Sequence, residues 1–203
     1  MTVLLRVDAS SRHDGSSSRQ VGDDLVAALK PQRVIVRDLA AAPVPQLSEA
    51  AITAFFSPRD TWTSEQQDAQ ALSEQLLDEI AQADTLLLTV PMYNFGIPAA
   101  LKAWIDQIMR VGHTFSFDGK SFSGLVRGKR AILVVAYGAE GYVEGDLAGA
   151  DFVVPYLRFV LNFIGISDVS VIALEGRSTG PSGAAEDMAK AGFEAALVNL
   201  ELV

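Results

Sequence analysis

The residues 9–19, Ala9-Ser10-Ser11-Arg12-His13-Asp14-Gly15-Ser16-Ser17-Ser18-Arg19, gather hydroxyl groups and a glycine between an apolar stretch and a helical pattern. The first N–H groups of a helix have no partner within it and its dipole is positive there, so such a turn suits a phosphate. Serine is also a favoured cap and a common turn residue, and from this segment alone a plain helix cap is an equal reading.

Two other segments carry candidate chemistry. Pro91-Met92-Tyr93-Asn94-Phe95-Gly96-Ile97-Pro98 sets two aromatics around an amide after a strongly apolar run, where side-chain faces and backbone polar groups can cover a flat ring. The alternative is a proline-bounded connection whose aromatics pack in the core. Ala136-Tyr137-Gly138-Ala139-Glu140-Gly141 follows another apolar run, and its two glycines permit close backbone approach to a ligand. By itself it is only a flexible turn.

Other chemistries fail on position. Gly119-Lys120-Ser121 has the end of a P-loop, but the glycine that motif needs at 114 is Thr114. There is no Gly-x-Ser-x-Gly elbow for a serine hydrolase. His13 and His113 are too few for a metal cluster, and with no cysteine there is neither a thiolate nucleophile nor a disulfide. A phosphoacceptor aspartate, as in response-regulator receivers, is expected where Thr89-Val90-Pro91 stands, and Asp8 reads as a solvated strand end.

These loops need elements to position them. Residues 2–8 read as a first strand, lacking the pattern of a secretory signal, and Val21, Leu25, Val26 and Leu29 follow at helical spacing. Residues 33–38 read as a second strand, and 40–63, with three prolines and little periodicity, as a long surface excursion. Ser64 and Gln67 have capping-box spacing before a helix marked by Leu72, Leu76, Leu77 and Ile80. Residues 84–90 are a near-continuous apolar run, the mark of a central parallel strand. Pro98 suits the first turn of a helix with Leu101, Trp104, Ile105, Ile108 and Met109 on one face.

Alternating aromatics around Asp118-Gly119 predict a small hairpin over 114–122. Strands are expected at 131–136 and 169–174, a helix at 151–164, and a last helix capped by Ser182. Five strands alternating with helices imply a doubly wound parallel α/β sheet with helices on both faces, and ligands beyond the carboxyl ends of its strands.

The 203 residues and 21.7 kDa fit one domain over 1–203. Hydrophobic residues make up 49%, charged residues 20%, and no apolar run reaches the ~20 residues of a membrane helix. A net charge of -9 argues against nucleic acid or anionic lipid as partner, since both attract basic surfaces. A small molecule is the expected substrate, no membrane association is expected, and the lack of cysteine suits a cytoplasmic enzyme.

Taken together, Ser10-x5-Ser16-Ser17-Ser18-Arg19, Pro91-Met92-Tyr93-Asn94-Phe95 and Gly112-His113-Thr114-Phe115 resemble the bacterial FMN-dependent NAD(P)H azoreductases. Arg37-Asp38-Leu39-Ala40, Pro155-Tyr156-Leu157 and Phe163-Ile164-Gly165-Ile166 follow the same family in the same order, so the likeness covers essentially the whole chain. It implies a flavodoxin-like fold of strand order 2-1-3-4-5 and a homodimer with FMN near the subunit interface. It further implies a ping-pong cycle in which NADH or NADPH reduces the flavin and a quinone or azo dye reoxidises it.

Carried over by position, Ser10, Ser16, Ser17 and Ser18 would bind the FMN phosphate, and Met92, Tyr93, Asn94 and Phe95 would line the isoalloxazine. Ala136, Tyr137, Gly138 and Ala139 would close the third side, although the family often has Ser-Arg-Gly-Gly there. Tyr93, Phe117 and Phe163 would border the substrate, Phe117 from the partner subunit. No side chain need act as a nucleophile, because the flavin carries the redox chemistry. A noncatalytic electron carrier and a domain binding some other phosphorylated ligand remain open alternatives.

Overall fold

A computed structural model describes residues 2–201. The chain alternates strands and helices. The first half runs β1 (Val3–Asp8), α1 (Ser17–Leu29), β2 (Arg33–Asp38), α2 (Glu49–Phe55), α3 (Ser64–Gln82), β3 (Thr85–Pro91) and α4 (Ala99–Ile108). The second half runs β4 (Phe115–Phe117), β5 (Phe122–Gly124), β6 (Arg130–Ala136), α5 (Val154–Ile164), β7 (Asp168–Leu174) and α6 (Gly183–Glu201).

Five strands form one parallel sheet in the order β2-β1-β3-β6-β7, which is 2-1-3-4-5 when only its own strands are counted. The antiparallel pair β4 and β5 is the expected hairpin, with Phe117 opposite Phe122 across a turn in which Asp118 accepts from the N–H groups of Lys120 and Ser121. Gly119-Lys120-Ser121 is therefore a hairpin turn.

The pleat divides the core. Leu5 and Val7 of β1 join Leu86, Leu88 and Val90 of β3 and Leu133 and Val135 of β6 under α3, α4 and α5. Leu4, Leu87, Ile132, Val134, Ile172 and Leu174 face the other way, under α1 and α6. The central strands are buried on both faces, which is why they read as unbroken apolar runs.

Three local expectations shift. The capping box uses Thr63 and Gln66, one residue before Ser64 and Gln67; both pairs have the required spacing, and Thr63 is the one with extended backbone that accepts from the Gln66 N–H. The excursion 40–63 contains α2, capped by Ser48, too short to show a helical period. Finally, α5 begins at Val154 because the Asp151 carboxylate accepts from the Val153 and Val154 N–H groups. Ser182 does cap α6, its hydroxyl accepting from the Ala185 N–H.

Gly22 lets α1 settle onto the sheet: a Cβ there would stand 2.7 Å from Thr89 Cγ2. Alanine would gain about 1 kcal/mol of helix propensity, but crowding a packed core costs about 1–3 kcal/mol. The clash should win, and Gly22→Ala is expected to lower the melting temperature by about 3 °C. A melting temperature at or above the parent's in a thermal scan would refute this packing role.

Candidate functional site

The carboxyl ends of β1, β3 and β6 and the loop after β7 surround a cleft of about 250 Å³. From the first loop come Ser10, Arg12, Gly15, Ser16, Ser17 and Ser18; from the second Pro91, Met92 and Tyr93; from the third Ala136, Tyr137 and Gly138. All three sequence-predicted loops thus meet at one place, as the switch-point rule requires. Arg177 and Ser178 from the loop after β7 complete the wall.

The serine turn is not a plain helix cap. Ser16 occupies the N-cap position of α1 with extended backbone, yet its side chain makes no capping hydrogen bond. Its Oγ stands instead 3.4 Å from Ser18 Oγ, and both residues are buried, at 9% and 1% exposure. Buried hydroxyls paired only with each other beside uncapped helix N–H groups make a donor set for an oxyanion. Gly15, at φ 67°, makes the left-handed bend that brings the turn into the helix.

Beneath the turn lies a buried ionic network that corrects the reading of Asp8. Asp8 is 3% exposed, and it accepts from Arg6 Nε at 2.9 Å, Arg19 Nη1 at 3.2 Å and Thr89 Oγ1 at 2.7 Å. Parallel register causes this, since Asp38 of β2 and Thr89 of β3 both stand opposite Asp8. Alternation places Arg6 and Asp8 on the face that α1 covers.

Arg19 spans the network. Its two terminal nitrogens donate to Asp38 at 2.8 Å each, and Nη2 donates to the Ser10 carbonyl at 2.7 Å. Its terminal nitrogens are thus committed to fixing the loop. The Arg19 guanidinium, helped by the Ala40 and Ala41 N–H groups, holds the Asp38 carboxyl well below the usual carboxylate range. Arg12 and Arg177 are the cations bordering the cleft.

The second loop turns on residues 94 and 95. Tyr93 and Gly96 exchange backbone hydrogen bonds at 3.0 and 3.1 Å, and Asn94 and Phe95 between them have φ 49° and 70°. This is the geometry of a type I′ turn, strained for phenylalanine, of the kind held at binding sites. Among the described residues the Asn94 and Phe95 N–H groups have no hydrogen-bond partner. Asn94 and Phe95 sit in this turn outside the cleft lining, whereas Tyr93 reaches back to the first loop, its Oη accepting from the Ser11 N–H at 3.3 Å.

In the third loop Tyr137 can serve the cleft only through its backbone. Its side chain is buried, donates to Asp151 at 3.0 Å and stacks on Tyr142, and burial beside that carboxylate pushes the phenol up. Gly138 approaches Ser178 closely, its carbonyl accepting from the Ser178 N–H at 2.8 Å. Ala139 lies outside the lining, accepting from the Gly176 N–H.

Phe117 and Phe163 are not in this cleft. Both belong to an aromatic cluster in which Phe122 stacks on Phe117 and Phe163 meets Phe115 edge-on. Arg177 and Ser178 were not singled out from the sequence, and their signal was positional: every loop at the carboxyl edge of such a sheet is a candidate wall. Among the described residues there is no His or carboxylate group suited to a metal.

Comparison with known proteins agrees with this fold. A protein family described as having a flavodoxin-like fold matches residues 2–196. The chain is 48% identical over 176 residues to the FMN-dependent NADH:quinone oxidoreductase of Xanthobacter autotrophicus, covering 84% of this chain and 85% of that protein. It is 47% identical over 186 residues to FMN-dependent NADH:quinone oxidoreductase 1 of a Jannaschia species, covering 91% and 93%. The crystal structure of an azoreductase from Bacillus anthracis superposes with a TM-score of 0.85 at 28% identity, over 98% of each chain.

Proposed function

Since the chain belongs to this family of flavodoxin-like fold, we propose that it is an FMN-dependent oxidoreductase that uses NADH to reduce quinones and aromatic azo compounds. The observation that carries the reading is the pair of buried hydroxyls, Ser16 and Ser18, bonded only to each other at the start of α1 and lining a cleft bordered by Arg12 and Arg177. That donor set fits a phosphate monoester, and Tyr93 on the same cleft begins the strained 93–96 turn, whose free N–H groups, just outside the lining, suit the polar edge of a flat ring that extends past it. FMN supplies hydride acceptance and donation when bound.

The chain's own residues do the rest. Ser10, Ser16, Ser17 and Ser18 would hold the phosphate, and Met92, Tyr93 and the backbone of residues 136–138 would flank the sugar-like chain and the ring. The Asn94 and Phe95 N–H groups would favour negative charge as it develops at the ring. NADH and the acceptor would use one open face in turn, a ping-pong order.

A homodimer is part of the proposal. Phe95, Phe117, Phe122, Phe152 and Phe159 are all at least half exposed, an unusual concentration of apolar surface for a monomer. A second copy covering it would bring Phe117 and Phe163 towards the substrate side of the ring. A cytoplasmic setting fits the use of NADH, and among the described residues no helix is long and apolar enough to cross a membrane.

The test is an absorbance spectrum of protein loaded with FMN, followed by NADH without oxygen and then a quinone. The expected result is bleaching of the flavin band by NADH and its return with quinone. A bound flavin that NADH leaves oxidised would mean an electron carrier, and failure to take up FMN would overturn the cofactor assignment.

A further inference from the structure

The segment 151–153 ties two walls of the cleft together. Asp151 Oδ2 accepts from the Tyr137 hydroxyl of the third loop at 3.0 Å. Its Oδ1 accepts from the Val153 and Val154 N–H groups at 2.8 and 3.2 Å, at the start of α5. Phe152, held between these bonds, donates its N–H to the Phe95 carbonyl of the second loop at 3.1 Å.

The tie ends on the strained turn. Asn94 and Phe95 both have positive φ, and such backbone persists only where its surroundings over-determine it. Among the described residues the bond from Phe152 is the only hydrogen bond that reaches Asn94 or Phe95. Phe95 and Phe152 are both more than half exposed, so side-chain packing within the chain does not replace it. The other end is firm. The Tyr137 side chain is buried and stacks on Tyr142 with ring centres 5.1 Å apart, while the Tyr137 N–H donates to the Leu174 carbonyl and its own carbonyl accepts from the Arg177 N–H. Burial and the neighbouring carboxylate push the phenol up, so the hydroxyl keeps its proton and the bond to Asp151 is donated one way.

We propose that Asp151 is a positioning residue for the hydride step. Through Tyr137 on one side and the Phe152–Phe95 backbone bond on the other, it fixes the direction of the Asn94 and Phe95 N–H groups. Those groups favour negative charge as NADH gives up a hydride and leaves as NAD+, so the proposal rests on the flavin reading of the cleft. Removing one such donor outright costs roughly 10²–10³-fold in rate. Loosening two without removing either is expected to cost about tenfold.

The experiment compares Tyr137→Phe, Asp151→Ala and Asp151→Asn with the parent, each loaded with FMN. Tyr137→Phe keeps the buried ring and loses only its hydroxyl, and Asp151→Ala loses every bond of the carboxylate. Both should bind FMN within about threefold of the parent and be bleached by NADH about tenfold more slowly. Both should also shift the reduction equilibrium of the bound flavin about tenfold towards the oxidised form, about 30 mV for a two-electron couple. In Asp151→Asn the amide oxygen can accept from Val153 and Val154 and the amide N–H can donate to the Tyr137 oxygen, so rate and potential should return to the parent's. Should Asp151→Ala fail to fold, Tyr137→Phe decides. A lowered melting temperature with rate and potential unchanged would make the tie merely structural and overturn the proposal, as would Asp151→Asn as impaired as Asp151→Ala. Failure of the parent itself to take up FMN overturns the flavin reading, and this proposal with it.

Discussion

Replacing Ser16 and Ser18 together by alanine is expected to weaken FMN binding about a hundredfold. Hydrogen bonds to a charged group are worth about 1.5–3 kcal/mol each, and about 1.4 kcal/mol is tenfold in affinity, so two lost hydroxyls account for two decades or more. The helix N–H groups remain, so some binding should persist. The hydroxyls are assigned to the phosphate and not to the ring, so the rate of flavin bleaching by NADH in the loaded fraction should be unchanged. Equilibrium titration with FMN and anaerobic stopped-flow separate the two quantities. Unchanged affinity would sink the phosphate assignment, while a slowed hydride step at unchanged affinity would move these serines to the ring.

Asp8→Ala should be the most damaging single change to stability, at about 3–5 kcal/mol, because breaking a buried ion pair strands its partner charge. Arg6 loses the acceptor of its Nε, Thr89 loses the acceptor of its hydroxyl, and Arg19 keeps only Asp38 and the Ser10 carbonyl. Thermal unfolding should show a fall of about 10 °C. A loss below about 1 kcal/mol would show that the network does not hold the serine turn.

Acid should reproduce part of this effect through Asp38. Its folded-state pKa is depressed below the unfolded value of about 4, so the folded protein binds its proton less readily. The stabilisation is therefore full above about pH 4 and is lost as the pH falls towards the depressed value. Asp38→Asn should accordingly cost stability at neutral pH and progressively less in acid.

The elements were largely legible because their signals are local. The apolar run 85–90, the spacing of Leu101, Trp104, Ile105 and Ile108, and the aromatic alternation at 115–122 each specify a strand, a helix face and a hairpin without reference to distant residues. Boundaries were less so, as Thr63 taking the cap from Ser64 shows: two adjacent residues offered the same chemistry, and backbone geometry chose one.

The sequence by itself determined the alternation of strands and helices, hence the parallel sheet, and which three loops carry hydroxyls, aromatics and glycines to its carboxyl edge. Only the tertiary structure decided what individual side chains in those loops do. Asp8 could not be read as buried, because its partners Arg19 and Thr89 are 11 and 81 residues away and meet it only through strand register and the seating of α1. Tyr137 turned into the core to meet Asp151, leaving its backbone to the cleft, and Arg177 and Ser178 joined the wall from the far end of the chain. Local pattern encodes where the backbone goes, whereas the partner of a polar side chain is set by long-range packing.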